Sequence, residues 1–530
     1  MQEKFNGYYQ KGFVILLFLI GMYLVPLRIT GFDFSQIPGD LGDSRFNNYI
    51  LEHGHRYLHG EEEHFWTAPF MFPQENNVAL SDNLLGTLPV YSFFRSAGCD
   101  RETAFQWWFL MMFVLNFWAA WFTFYKLTGN QTGAALGAFV FAFSLPVIAQ
   151  INHVQLMPRF AIPFCFLFLI YFFKTLSPKF FAGFLLMILI QFYCGMYLGF
   201  LLFLAVLVFS LAASFFIIPW KKIFSQHYFF YFKIAGITII ALMLLKPLAD
   251  PYMQTVEMMG YRDFVKEIEP GMPRVLSHFY AINDSLMWNS LSKTGDYLPF
   301  PWEHKIFAGG IPWLCIGAVV LILVRRKTLT EDKKLTLVLL ITLFIIGILT
   351  LFIYGNTMYK LVLNLPGFGS MRVLTRVVLI LLFFFSFFVA FIYCGINQKF
   401  FSAVKAGIIL SIVSGTLVVC DQFVYEKALM RFSKAEAQQR IEIVHEKAEA
   451  ERKPKHRAFA FMPAESPDFN HTQLDAMLAA QEMNMACVNG YASSAPGSFG
   501  LFWWKPVDEH LNIWLKEKGF TDSTTVLRLY

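Results

Sequence analysis

Charge is what this chain has least of. Only 15% of its 530 residues are Asp, Glu, Lys or Arg, against 56% hydrophobic and 18% aromatic, 62 of them Phe. Long apolar segments without a polar face exclude a soluble protein built on ordinary amphipathic helices. Cysteine is sparse as well, with seven residues, several of them inside apolar runs (Cys165, Cys194, Cys315, Cys394). There is no CxxC and no Cys/His spacing for zinc, so the cysteines read as packing residues. The net charge of +6 is dispersed in short clusters between apolar runs, which excludes a nucleic-acid-binding face. Internal repeats, low-complexity tracts and lipidation signals are lacking.

What the sequence has is length of apolar run. Crossing a ~30 Å hydrocarbon layer takes about 20 residues, and hydropathy places such runs at 12–29, 105–126, 131–150, 156–173, 180–193, 196–219, 228–249, 306–324, 335–354, 372–395 and 402–420. Gly12 to Leu27 has no small-residue cleavage site after it and reads as a retained span. Lys4, Lys11, Lys126, Lys174, Lys179, Lys221, Lys222, Lys233, Arg325 to Lys327, Lys333, Lys334, Lys399 and Lys405 collect on alternate connections. The positive-inside rule then puts the N-terminus in the cytoplasm and, with an odd number of spans, the C-terminus outside. Within 180–219 the stretch "QFYCGMYLG", with Gln191, Tyr193 and Tyr197 beside Gly195, favours two shorter helices meeting at the outer surface, because a backbone break must be buried in protein or line a wet cavity.

The expected fold is therefore a polytopic α-helical membrane protein of about 11 transmembrane helices with a small C-terminal α/β extracytoplasmic domain. Residues 1–421 form the membrane part, including a first outer loop (30–104) with an amphipathic helix and a second outer loop (250–303); residues 422–530 form the outer domain. That last segment reads as a charged helix ("SKAEAQQRIEIVHEKAEAERK"), a strand ("AFAFM"), a helix over 472–483, a Gly/Ser/Pro loop ("NGYASSAPGSFG"), a helix over 507–518 and a strand ("TTVLRLY").

Chemistry-bearing residues gather at the outer ends of the spans. "PGDLGDSRFNNYILEHGHR" sets Asp40 and Asp43 among glycines just after the first span. The two aspartates read as turn formers and caps of a helix starting near Ser44 and lying along the membrane surface, or as a general base shielded at the mouth of the bundle. Asp82 in "SDNLLG" is either the cap of a helix beginning near Asn83 or a site carboxylate. His153 and Gln155 in "QINHVQLMPR" lie between two spans, where a lone His is an interface residue or a ligand contact. Arg372 and Arg376 in "LPGFGSMRVLTRVV" are four apart, which places them on one helix face; Lys246 in "LLKPLADPY" is a further cation near the same boundary. Arginine near hydrocarbon is costly unless it snorkels to headgroups or meets an anion such as a lipid phosphate. "NGYASSAPG" reads as a ligand loop or as an ordinary α/β connection.

A long first outer loop with Asp just after span one, a following amphipathic helix, many spans and a C-terminal outer domain together resemble the GT-C superfamily of integral membrane glycosyltransferases. "PGDLGDSR", "HFWTAPFMFP", "LSDNLLGTLPVY", "INHVQLMP", "LPGFGSMRVLTR" and "QLDAMLAAQEMNMACVNGYASSAPGSF" are similar to a bacterial group of GT-C-like proteins related to the YfhO-type and mannosyltransferase-like families. The resemblance implies an inverting transferase of the bacterial inner membrane. It would move a sugar from a polyprenyl-phosphate-linked donor to a glycan, lipid or protein acceptor on the outer side. By position, Asp40 or Asp43 would be the base, Arg372, Arg376 and Lys246 would meet the donor phosphate, and His153, Gln155 and Asp82 would line the cavity. The adjacent acidic pair of some members is missing. The WWD motif of the metal-dependent oligosaccharyltransferase branch is missing too, so neither a metal nor another cofactor is expected. The rival expectation is a non-catalytic GT-C-like membrane component that binds lipid-linked glycan or scaffolds an envelope or secretion complex. A transporter would require corresponding Gly/Pro-broken spans in two halves, and the sequence offers no such pair.

Overall fold

The computed structural model describes residues 2–260, 262–325, 331–400, 404–466, 468–520 and 522–530; Arg326 and Lys327 of the basic cluster lie outside them. Among the described residues nine helices are long and apolar enough to cross a membrane: Tyr8–Thr30, Arg101–Thr128, Gln131–Ala149, Val154–Thr175, Met196–Phe216, Tyr228–Met259, Lys333–Thr350, Leu374–Lys399 and Lys405–Gln422. Two shorter apolar helices, Pro178–Cys194 and Gly310–Arg325, complete a polytopic helical membrane protein. The Gln131–Phe143 helix and the first half of the helix starting at Val378, residues 378–390, lie at its centre and are buried almost throughout, so their aromatic residues pack on protein: the Phe124 and Phe166 ring centroids lie 5.6 and 4.5 Å from that of Phe383. Tyr228–Met259 stands at the rim, with Ile239, Ile240, Leu242, Met243 and Leu244 exposed as befits a lipid-facing surface.

The long apolar stretch after residue 178 does break in two. Pro178–Cys194 ends and Met196–Phe216 begins at Gly195. The break is held by protein: Gln191 Nε2 donates to the Pro158 carbonyl at 3.0 Å, and the Gly86 amide to the Tyr193 carbonyl at 2.6 Å. This satisfies the backbone groups that a break inside a bundle sets free.

The C-terminal segment forms a three-stranded parallel sheet, with Ala458–Phe461 central between Ala486–Cys487 and Val526–Leu529. Helices Lys434–Glu451, Phe469–Glu482, Phe499–Trp504 and Asp508–Glu517 surround it. The Phe499–Trp504 helix occupies the end of the stretch expected to be a loop, because Phe499, Phe502 and Trp503 are buried and supply a helical apolar stripe. This α/β unit shares one apolar core with the segment after the first span: Phe46, Tyr49, Ile50, Phe70, Met71 and Leu80 pack with Phe459, Leu474, Met477, Trp514 and Leu529. Backbone bonds reinforce it, from Met71 N to the Asn489 carbonyl (3.0 Å) and from Phe72 N to the Cys487 carbonyl (3.0 Å).

That shared core corrects the expectation for the amphipathic helix. Asp43–Leu58 is a helix, but its polar face is not open to headgroups or water, since every residue from Ser44 to His55 is buried. Its polar face is covered by the C-terminal unit, where Arg45, 3% exposed, pairs with Asp475 at 2.6 Å and Gln481 Nε2 donates to the Tyr49 carbonyl at 3.2 Å. Neither Asp43 nor Ser44 caps it; the cap position is Gly42, without a side-chain bond.

Candidate functional site

The acidic turn is fixed from both sides. Just before it, Gln36–Pro38 (β1) pairs antiparallel with Arg431–Ser433, and the Gly39 amide donates to the Met430 carbonyl at 2.9 Å. Gly39 has φ +89°, and a Cβ there would fall 1.8 Å from Ser44 Oγ and 3.1 Å from the Ile151 carbonyl oxygen, so the turn needs glycine. Asp40 then accepts the Gly42 amide at 3.1 Å, and Asp43 opens the helix with its carboxylate turned to the site.

Asp43 is the centre of a charged network. Its Oδ2 accepts from His153 Nδ1 at 2.6 Å and its Oδ1 from the Tyr491 hydroxyl at 2.6 Å. His153 Nε2 lies 3.2 Å from Glu303 Oε1, and Arg376 Nη2 donates to the same oxygen at 3.1 Å. With both ring nitrogens on carboxylates, His153 is an imidazolium, and two cations balance two anions. Burial pushes the Asp43 carboxyl up, but hydrogen bonds from His153 and Tyr491 and the charges of His153 and Arg376 overcome it and hold it at about 2. Burial and the Arg376 charge lower His153; the bonds to Asp43 and Glu303 outweigh them and carry it to about 9. Glu303 is held well below the usual carboxylate range by Arg376 and His153 against its burial.

Other groups lie around this quartet. Asp40, half-buried, is raised by burial and by the Asp43 charge. Gln155 Oε1 accepts from Asn47 Nδ2 at 2.9 Å, and Asn47 Nδ2 also reaches the Asp43 carbonyl at 2.7 Å. Asp82 caps no helix, the next one starting at Leu88; its Oδ1 instead faces the Gly195 break, where the Tyr197 amide approaches at 3.5 Å and a Gly195 Cβ would sit 3.3 Å away. Burial raises its carboxyl to about 6. Arg376 lies 5.2 Å from the Tyr197 ring centroid.

The two arginines do not share a helix face. Arg376 lies in the 3-10 turn Leu374–Val377 and the α-helix starts at Val378; the Val373 amide donates to the Tyr197 hydroxyl at 2.6 Å in place of a helical carbonyl, which leaves Arg372 in non-helical chain before the turn. Arg376 is buried and paired, Arg372 exposed at the rim. Lys246 is elsewhere: its side chain is 71% exposed on the lipid-facing helix and pairs with Asp250 four residues on. The structure thus joins Asp43, His153 and Arg376, sets Asp40, Gln155, Asp82 and Arg372 around them, and separates Lys246. Glu303 and Tyr491 belong to the network without having been singled out in the sequence. Glu303 was legible as a lone acid abutting an apolar span in "PFPWEHK"; for Tyr491 the only signal was the loop "NGYASSAPG".

The chain is similar in fold to an oligosaccharyltransferase. The structure of the Archaeoglobus fulgidus enzyme in the apo form superposes with a TM-score of 0.53 over 92% of this chain and 65% of that one, at 9% identity. The archaeal oligosaccharyltransferase AglB from the same organism, in complex with an inhibitory peptide and a dolichol-phosphate, gives 0.52 over 97% of this chain and 69% of that one, also at 9% identity. This chain spans less than two thirds of the first neighbour's length. At such identity the likeness is one of fold. No family model and no curated protein matches the sequence.

Proposed function

We propose that the chain is a membrane glycosyltransferase that moves a sugar from a polyprenyl-phosphate-linked donor to a glycan, lipid or protein acceptor. One observation carries the reading: a charge-balanced quartet joins the acidic turn to the basic segment, beside the half-buried Asp40 and the exposed Arg372. It is supported by the fold, shared with an enzyme whose structure holds dolichol-phosphate. A lipid phosphate has a tail that belongs in hydrocarbon and a headgroup that belongs in water, so its enzyme needs a cation at the boundary and a base close by.

In this reading Arg372 meets the donor phosphate and the quartet holds its surroundings rigid. The acceptor nucleophile attacks the anomeric carbon, the bond from that carbon to the phosphate oxygen breaks, and the electron pair leaves on polyprenyl phosphate. One displacement inverts the centre. The acceptor proton goes to an aspartate. Both oxygens of Asp43 already accept hydrogen bonds and its carboxyl is depressed to about 2, whereas Asp40 is raised toward the working range of a base. We assign the proton to Asp40, the orientation of the turn to Asp43, and the cavity wall to Gln155 and Asp82. Glu303 Oε2 and Arg376 Nε are buried without a hydrogen-bond partner among the described residues, a costly state that a bound substrate would relieve. Lys246 takes no part. The setting is the bacterial inner membrane, with the N-terminus cytoplasmic and residues 422–530 outside, as the basic connections imply; kinship with the YfhO-type group rests on the sequence motifs.

The test is sugar transfer from a polyprenyl-phosphate-linked donor. Asp40→Asn should lower kcat by about 10²- to 10⁴-fold, the range of a lost general base, and Arg372→Ala should raise KM for the donor. Undiminished transfer by the Asp40→Asn, Asp43→Asn double variant would reject the assignment and favour a non-catalytic GT-C-like component, for which the saturated hydrogen bonding of Asp43 is the supporting observation.

A further inference from the structure

The geometry points to Tyr491, on the C-terminal α/β unit, as a positioning residue for Asp43. The assignment rests on the glycosyltransferase reading and extends it, because it makes the active site a joint product of the membrane bundle and the C-terminal unit.

Asp43 has two donors, and they come from different parts of the molecule. His153, between two spans, holds Oδ2; the Tyr491 hydroxyl holds Oδ1, each at 2.6 Å. A carboxylate with one donor can turn about its last bond, whereas one gripped at both oxygens cannot. The phenol also stands near Asp40: the place where a Gly42 Cβ would sit is 3.5 Å both from the Tyr491 hydroxyl and from Asp40 Oδ1. Tyr491 is thus the side chain that spans the acidic turn from above.

Its own position is over-determined. Asn489 is locked by Phe461 N on its Oδ1 (2.7 Å) and by its Nδ2 on Gln473 Oε1 (3.0 Å), and the Gly490 amide reaches the same glutamine oxygen at 3.0 Å. The Tyr491 ring packs 5.7 Å from Phe46 and 5.4 Å from Trp503. Beyond it, Ser493 donates to the Leu80 carbonyl, and Arg262 Nη2 donates to Ser494 Oγ at 2.9 Å while its Nε holds the Ser370 carbonyl at 3.1 Å, two residues before Arg372. Residues 489–494 therefore tie the acidic turn, the Asp82 segment and the Arg372 segment to one rigid strand end.

The experiment is Tyr491→Phe in the full chain, which keeps the ring packing and removes only the hydroxyl. kcat should fall about tenfold, the scale of a lost hydrogen bond to a charged group, with donor KM unchanged. The acid limb of the thermal-midpoint profile should move to higher pH, since the Asp43 carboxylate loses a donor that favours its charged form. Thermal midpoints of Tyr491→Phe, Asp43→Asn and the double variant, measured without substrate, should be less than additive. Additive midpoints overturn the assignment whatever the activity, as does a Tyr491→Phe enzyme with wild-type kcat and an unmoved acid limb. Coupled midpoints in a chain that transfers no sugar would instead count against the glycosyltransferase reading, so the two failures look different.

Discussion

Asp43 and His153 show how a few side chains make a pH-dependent site. The Asp43 carboxyl is depressed to about 2 and the His153 imidazolium raised to about 9. Asp43 thus contributes stability that is complete above the ordinary carboxylate range and is lost as pH falls through about 2. His153 contributes stability that is complete below pH 6.5, its ordinary value, and is lost as pH rises through about 9. The expected result is a thermal midpoint that falls from pH 6.5 toward 9, with His153→Gln flattening that fall. Glu303→Gln leaves the buried Arg376 without its partner and should cost about 3 kcal/mol, read as a lower midpoint at pH 6. From the sequence alone, Asp43, His153 and Arg376 could each be named because a polar group beside an apolar run stands out. Which partners they would take could not, since Glu303 lies 150 positions from His153 in the chain and only the fold brings them within 3.2 Å.

At the scale of elements, local patterns were readable and contacts between distant segments were not. The spans follow from apolar runs, and the helix break from Gly195 amid Gln191, Tyr193 and Tyr197. The Asp43–Leu58 helix also followed from its periodicity, but a helix with one polar face reads the same whether that face meets headgroups or another domain. Only the Arg45–Asp475 and Gln481–Tyr49 contacts distinguish the two. Likewise the spacing of Arg372 and Arg376 fits a helix, and the Tyr197 hydroxyl, from a different span, takes the amide that would have continued it. The acidic turn makes a sharper test. Gly39→Ala places a methyl against Ser44 Oγ at φ +89° and should cost about 1–3 kcal/mol, measured as thermal midpoint, with a larger loss of sugar transfer than of stability because Asp40 and Asp43 move with the turn.

For the whole molecule, the division into bundle and C-terminal unit seen in the sequence is cut across by the packing. Phe46 to Leu80 complete the core of residues 441–529, and β1 pairs with a strand from beyond the last span. A bundle of apolar helices supplies the lipid-facing rim, and the C-terminal unit closes over the acidic turn, so that charged groups meet between the two parts of the molecule. In the proposed function this meeting point receives a lipid phosphate at Arg372. A photoreactive polyprenyl phosphate, cross-linked to the chain in vesicles and mapped by peptide mass, tests it most directly. Label is expected in 367–377, displaced by excess unlabelled polyprenyl phosphate and lost in Arg372→Ala. Label spread along Tyr228–Met259 and unaffected by competitor or by that substitution would contradict it.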